Sequence, residues 1–485
     1  MNVMQLGLRS CRGVLIGLII ATAALLSPNM GHAEQDLPVL GDPTAGLLSA
    51  DQEYRLGRAW LRRLRSQTSI LTDPVIQEYA EHLVYRLAAH SDLDAPDLTV
   101  VLINNRAINA FAVPGGVIGL NAGLFLSAES EDEVAGVVAH EIAHISQRHF
   151  ARRYIESQKV NTAMLAAVMA SLAVAIAGHG DAGMAGIAAS QAGAIQSQLA
   201  YSRQNEREAD RVGMQTLIAA GMDPHAMPLF FERMHRSRQF SGTPPDFLLT
   251  HPVTDERIAD SRSRARNLPR PAQRDTLYFD LVRARLIAQY LRSGDEAVRH
   301  FEGDQHGKSD RVARYGLAMS HIRLEQFDAA EKQIAALNDE YPDHLLFMLA
   351  QAELAFARGD YPGAIERSER LQRISPGNLS NTVLLSRALM RNEQPEEAIR
   401  LLRPLVRQRS DDPQLWETLA RAYGDTGNDA RALHASAEAA FLRGDNRRSL
   451  QQMTFAIRES GDDFALRSQL RARENALRQL SEERF

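Results

Sequence analysis

The chain has 485 residues, 45% of them apolar and 24% charged, with a formal net charge of −5. That length suffices for two or three domains with sizeable cores, and the composition is that of a globular protein without a long low-complexity tract. The charges are spread along the chain with no basic stripe, which argues against nucleic acid as a partner.

At the N-terminus, Arg9 and Arg12 precede an apolar run over residues 14–26, which Ser27-Pro28 breaks. Gly31-His32-Ala33 then places small residues at the −3 and −1 positions of a cleavage site. This order predicts a secretory signal peptide over residues 1–33, cut after Ala33, and so a periplasmic address. A membrane anchor is the rival reading, but the run is short of the roughly 20 residues that a span requires. The one cysteine, Cys11, leaves with the signal, so the mature chain is expected to have neither disulfides nor thiol chemistry.

Residues 34–50 carry prolines and glycines and read as an irregular lead-in. Over residues 51–90 the apolar positions Leu56, Trp60, Leu64 and then Ile76, Tyr79, Leu83, Leu87 keep helical spacing. Residues 98–103 read as a strand. Residues 110–113 and 117–120 flank Pro114-Gly115-Gly116 as a hairpin. A strand ending in Pro-Gly-Gly suits a sheet edge, and an edge can hold an extended peptide by backbone hydrogen bonds. Asn109, Ala110, Phe111, Ala112 and Val113 are therefore the candidate substrate strand, with an ordinary core hairpin as the alternative.

Ser130 with Glu133 reads as a capping box that opens the next helix. That helix carries His140-Glu-Ile-Ala-His144. Histidines four apart lie on one helix face, so both can reach one ion, and zinc is the metal this spacing suggests. Glu141 projects to the side, where it can accept a proton from a water activated by that ion. A catalytic zinc needs a third protein ligand. Glu206 and Asp210 share a face further on: one carboxylate would bind the metal, the other would orient a histidine. His82, His90, His149 and His179 have no ligand spacing and read as surface or capping residues. Residues 160–177 and 183–195, rich in alanine and glycine, read as a helical hairpin that is buried or touches a membrane surface rather than spanning it.

The last third is repetitive. Ala330, Ala364, Ala398 and Ala432 recur at intervals of 34 in matching frames, which is the tetratricopeptide period. A degenerate repeat starts near residue 278, and residues 264–274 read as the linker. Such repeats are expected to stack on one another as a separate unit, with packing against the N-terminal half as the alternative, and to present concave surfaces to partner chains.

His140-Glu-Ile-Ala-His144, Glu206-x-x-x-Asp210, the segment from Asn109 to Pro114-Gly-Gly116 and Thr250-His-Pro252 together resemble the HtpX/Ste-type zinc metalloendopeptidases, with no departure from their motif pattern. The resemblance implies a mainly α fold. A gluzincin-type metallopeptidase domain with a small β-sheet would occupy residues 34–270, followed by an α-solenoid of repeats over 275–470. It implies one Zn²⁺ per subunit held by His140, His144 and Glu206, with Glu141 as the base and Asp210 as a proton donor. It places His251 near the metal, as a fourth ligand that keeps the enzyme off or as a donor to the tetrahedral intermediate. It further implies quality control of misfolded or stalled outer-membrane proteins, with the β-barrel assembly machinery as a partner of the repeats. The competing reading is a chaperone or adaptor with a silent protease site; a pure scaffold, however, has no need of Glu141.

Overall fold

Two amphipathic helices open the described chain. Ser49 accepts the Gln52 amide and the Gln52 side chain accepts the Ser49 amide, so a complete capping box starts α1 (Ala50–Gln67). Asp73 accepts the amides of Val75 and Ile76 at the start of α2 (Pro74–Ala88), with Pro74 where its missing N–H costs nothing. The computed structural model describes residues 49–93, 97–156, 203–241, 245–272, 274–290, 293–303 and 310–482. The expected signal peptide and alanine-rich hairpin lie outside the described residues. No helix among the described residues is long and apolar enough to cross a membrane.

The sheet has strands β1 (Thr99–Ile103), β2 (Ala110–Val113) and β3 (Val117–Asn121) in the order β1-β3-β2. β3 runs parallel to β1 and antiparallel to β2, so β2 is an edge, as the Pro-Gly-Gly ending suggests. Gly115 and Gly116 make the turn at φ +76° and +74°. A Cβ on Gly115 would also lie 2.6 Å from the Glu53 carbonyl, so only glycine fits there. The Asn121 amide donates to the Asn109 carbonyl. Alternation along the ladder then turns the backbone groups of Ala110 and Ala112 outward, away from β3.

The N-terminal half continues through α3 (Ala122–Ser127), α4 (Glu131–Ser146), α5 (His149–Glu156), α6 (Arg203–Ala219), α7 (Ala226–Ser241), α8 (Phe247–Thr250) and α9 (Asp255–Arg266). The capping box expected at α4 is only half made. Ser130 accepts the Glu133 amide, but the Glu133 carboxylate takes the Glu129 amide and the Arg233 guanidinium instead of returning to Ser130. A carboxylate–guanidinium pair, charged on both sides, outweighs the carboxylate–amide bond it replaces.

The repeats follow as α10 (Leu277–Tyr290), α11 (Gly294–Gly303), α12 (Asp310–Arg323), α13 (Phe327–Glu340), α14 (Leu345–Arg358), α15 (Tyr361–Ile374), α16 (Leu379–Arg391), α17 (Pro395–Gln408), α18 (Pro413–Asp425), α19 (Asp429–Leu442), α20 (Asn446–Glu459) and α21 (Phe464–Glu482). Ala330, Ala364 and Ala398 are fully buried where successive helices cross, while Ala432 is only partly covered.

The repeats do not form a separate unit. One apolar core runs from Leu71 in the N-terminal half to Leu384 in the repeats. Tyr79 of α2 meets the rings of Tyr278 and Phe279 of α10 at centroid distances of 5.4 and 6.2 Å. Arg285, buried in this seam, bonds Asp73 at 2.7 Å and Glu353 at 2.7 and 2.8 Å. Asn378 and Ser380 bond Glu78 at 3.0 Å, and Arg409 pairs with Glu81. The segment read as a linker is tied down as well, because Arg274 pairs with Asp132. The reason is apolar area. α10 has no paired repeat before it and covers α2 and α3 instead. Between the halves lies a cavity of about 860 Å³, lined by Arg65, Tyr85 and Thr99 on one side and by Val383, Arg387 and Leu415 on the other.

A shared core predicts shared unfolding. Phe279→Ala should cost about 3–5 kcal/mol. Differential scanning calorimetry of the full chain should show the N-terminal half and the repeats unfolding together; two separate transitions, with only one displaced, would contradict a continuous core.

Candidate metal centre

The centre rests on the close crossing of α4 and α6. α4 is buried from Val134 to His144, with Glu131, Asp132 and Glu133 at its positive end. Glu206, Asp210 and Gly213 lie on one face of α6 at i, i+4 and i+7. A Cβ on Gly213 would stand 3.0 Å from the His140 amide nitrogen, so the missing side chain lets the two backbones touch. Both carboxylates are thereby delivered to the histidine face of α4. The remaining element is short. His251 ends α8, its amide donating to the Phe247 carbonyl at 2.8 Å and its ring stacked on that of Phe247 at 4.7 Å.

His140, His144, Glu206 and His251 each bring one ligand atom into a buried group within 4.8 Å of one another. Nε2 of His140 lies 3.0 Å from Nε2 of His144, 3.3 Å from Nδ1 of His251 and 3.5 Å from Oε2 of Glu206. Oε1 of Glu206 lies 3.1 Å from Nδ1 of His251 and 3.5 Å from Nε2 of His144. Donors about 2.0–2.1 Å from a tetrahedral ion stand about 3.3–3.4 Å from one another. The separations fit a metal ion, and so does the donor chemistry.

The surrounding groups hold these donors in place. Asp210 reaches Nδ1 of His140 at 3.0 Å, and Arg257 grips Asp210 through Nε at 2.8 Å and Nη2 at 2.7 Å. The same guanidinium meets Glu206 at 2.7 Å and the Pro252 carbonyl at 2.8 Å. A carboxylate only accepts, so with Nε2 given to an ion the remaining ring proton of His140 would sit on Nδ1, toward Asp210. Burial pushes the Asp210 and Glu206 carboxyls up, but Arg257 on the first and His251 with Arg257 on the second hold both below the usual range. Burial also acts to lower His140, yet Asp210 and Glu206 outweigh it and raise the imidazole to about 9. Glu141 is raised by burial; it lies 3.4 Å from Nε2 of His251, and the Ala112 amide of β2 faces it.

The expected ligands and His251 therefore converge, with Glu141 beside them. Asp210 does not face the cluster. It sits 3.0 Å from Nδ1 of His140, the nitrogen turned away from the cluster, where it can orient that ring. His149 is a correction: it is fully buried, not a surface or capping residue, with Nδ1 2.8 Å from Nδ1 of His144 and Nε2 3.2 Å from Glu208. Arg152 closes on the same Glu208 oxygen. Arg257, Glu208 and Arg152 escape a reading of spacing. The available signal for Arg257 is that two buried carboxylates on one helix face require a cation.

Residues 74–265 match the sequence profile of Peptidase family M48, and residues 315–378 and 355–422 match tetratricopeptide repeat profiles. A relative from Vibrio cholerae is 37% identical over 425 residues, 87% of this chain and 88% of its own. The beta-barrel assembly-enhancing protease of Escherichia coli K12 is 31% identical over 487 residues, 98% of each chain. The chain belongs to the M48 peptidases, in the branch of the beta-barrel assembly-enhancing proteases. More distantly, the mitochondrial metalloendopeptidase OMA1 of Arabidopsis thaliana is 28% identical over 194 residues, 39% of this chain and 36% of that protein. As an M48 peptidase the protein is a metalloprotease, mostly helical, whose repeats follow the peptidase half.

In this M48 site, Arg257→Met should leave two buried carboxylates without their cation, at a cost of about 3–5 kcal/mol. Metal content by plasma emission spectroscopy and the melting temperature should both fall. Arg257→Lys should not restore them, because an ammonium cannot grip both carboxylates in one fork; full recovery with lysine would contradict the clamp.

Proposed function

We propose that the protein is a periplasmic, zinc-dependent endopeptidase that cuts misfolded or stalled outer-membrane barrel proteins and assists their assembly. The observation that carries this reading is the buried four-donor cluster with the Glu141 carboxylate at its side. The relatives named for barrel assembly support the substrate class, and the N-terminal pattern of charge, apolar run and small residues supports the compartment.

A zinc ion in this cluster would polarise the scissile carbonyl and activate a water. Glu141, desolvated and raised, accepts the proton of that water and returns it to the departing amine. A substrate laid along β2 pairs with the outward backbone groups of Ala110 and Ala112, which brings its carbonyl past Glu141. Asn109, Phe111 and Val113 face β3 and hold that edge in register. His251 stands between Glu141 and the other donors, where the attacking water belongs, so we read it as a latch that keeps the resting enzyme closed. The repeats and the cavity beside them would receive the barrel-assembly machinery or the substrate itself.

Glu141→Gln should keep its zinc and slow cleavage of an unfolded outer-membrane barrel protein by about 10²–10⁴-fold. Wild-type cleavage by that variant would sink the assignment. His251→Ala separates two roles by gel assay. A latch gives faster and less selective cutting, whereas a donor to the tetrahedral intermediate gives a loss of about 10²–10³-fold.

A further inference from the structure

Behind His144 runs a chain of groups that ligation alone does not require. His149 opens α5, fully buried, and the turn that puts it there is strained. Arg148, between α4 and α5, has φ +49°, the left-handed region that non-glycine residues seldom adopt. This turn brings α5 back against α4 and sets the His149 ring at 4.9 Å, edge to face, from that of His144.

Proton placement fixes the direction of each bond. For Nε2 of His144 to offer a lone pair to an ion, its ring proton must sit on Nδ1. That proton points at Nδ1 of His149, 2.8 Å away, which must therefore accept it. His149 then carries its own proton on Nε2, 3.2 Å from a Glu208 carboxylate oxygen that can only accept. Arg152 meets the same oxygen and keeps Glu208 in place. The opposite tautomer of His149 would set two N–H groups against each other or drive the His144 proton to Nε2, closing that nitrogen to the ion.

We infer that His149, anchored by Glu208 and Arg152, is a positioning residue that fixes the tautomer and ring orientation of His144 for metal binding, a role that rests on the metal-site reading above. It matches what Asp210 does for His140, with an imidazole interposed between the carboxylate and the ligand. Such groups commonly change metal affinity by about 10–100-fold when removed.

The test compares three variants of the full chain by zinc competition against a chromophoric chelator. His149→Asn keeps an acceptor at the δ position but loses the reach to Glu208. His149→Gln keeps the reach to Glu208 but has no acceptor at the δ position. The inference predicts that His149→Ala and His149→Gln weaken zinc binding by about 10–100-fold, while His149→Asn stays close to wild type. A residue that merely fills space or neutralises Glu208 gives the reverse order, with Gln better than Asn. That order, or unchanged affinity in the alanine variant, overturns the inference. Should the alanine variant fail to fold, the Asn and Gln pair still decides. Failure of the metal-site reading is distinct: the wild type itself would then bind no stoichiometric zinc.

Discussion

The structure turns on the grip of Arg257 on Asp210 and Glu206. Two carboxylates on one face of α6, both buried against α4, are untenable without a cation, and the desolvation penalty for an unpaired one amounts to several kcal/mol. One guanidinium satisfies both, with bonds of 2.7–2.8 Å. Its remaining reach, to the Pro252 carbonyl, fixes the segment that carries His251. The orientation of His140, the aim of Glu206 and the approach of His251 thus all lean on one side chain.

Much of this was legible in the sequence because it follows short-range periodicity. Histidines four apart and carboxylates four apart must share a helix face, and alanines 34 apart must share a repeat position. The edge strand was legible because Pro114-Gly115-Gly116 cannot continue a ladder. What stayed hidden depends on groups that meet only after folding. His149 follows His144 by five residues, which is no helical spacing, and reaches it through the left-handed turn at Arg148. Arg257 is one arginine in a helix with several. The contacts that join the repeats to the catalytic half were hidden for the same reason: Arg285 reads as an ordinary helix residue, and its partners Asp73 and Glu353 lie 212 and 68 residues away.

That union changes what the repeats can do. A solenoid joined by a flexible linker could deliver a partner without altering the site. Here α2 packs against both α4 and the repeats, and Asp73, Glu78 and Glu81 on or beside α2 all bond repeat residues. A partner that entered the cavity between the halves would meet side chains of both, Gln77, Glu81 and Tyr85 of α2 among them.

The four donors are not held equally. His140 and His144 sit in a helix of 16 residues and Glu206 in one of 17, and α4 and α6 lock at Gly213. His251 ends a helix of four residues, too short to persist without its tertiary contacts. It is kept by Phe247, buried beneath it, and by the Arg257 bond to Pro252 one residue on. Displacing any of the first three donors would break the core crossing that makes the site. Displacing His251 need only unwind one turn while α9 and its arginine stay in place. In the latch we propose, a change that opens the cluster would therefore fall on His251 and leave the Arg257 grip on Asp210 and Glu206 in place.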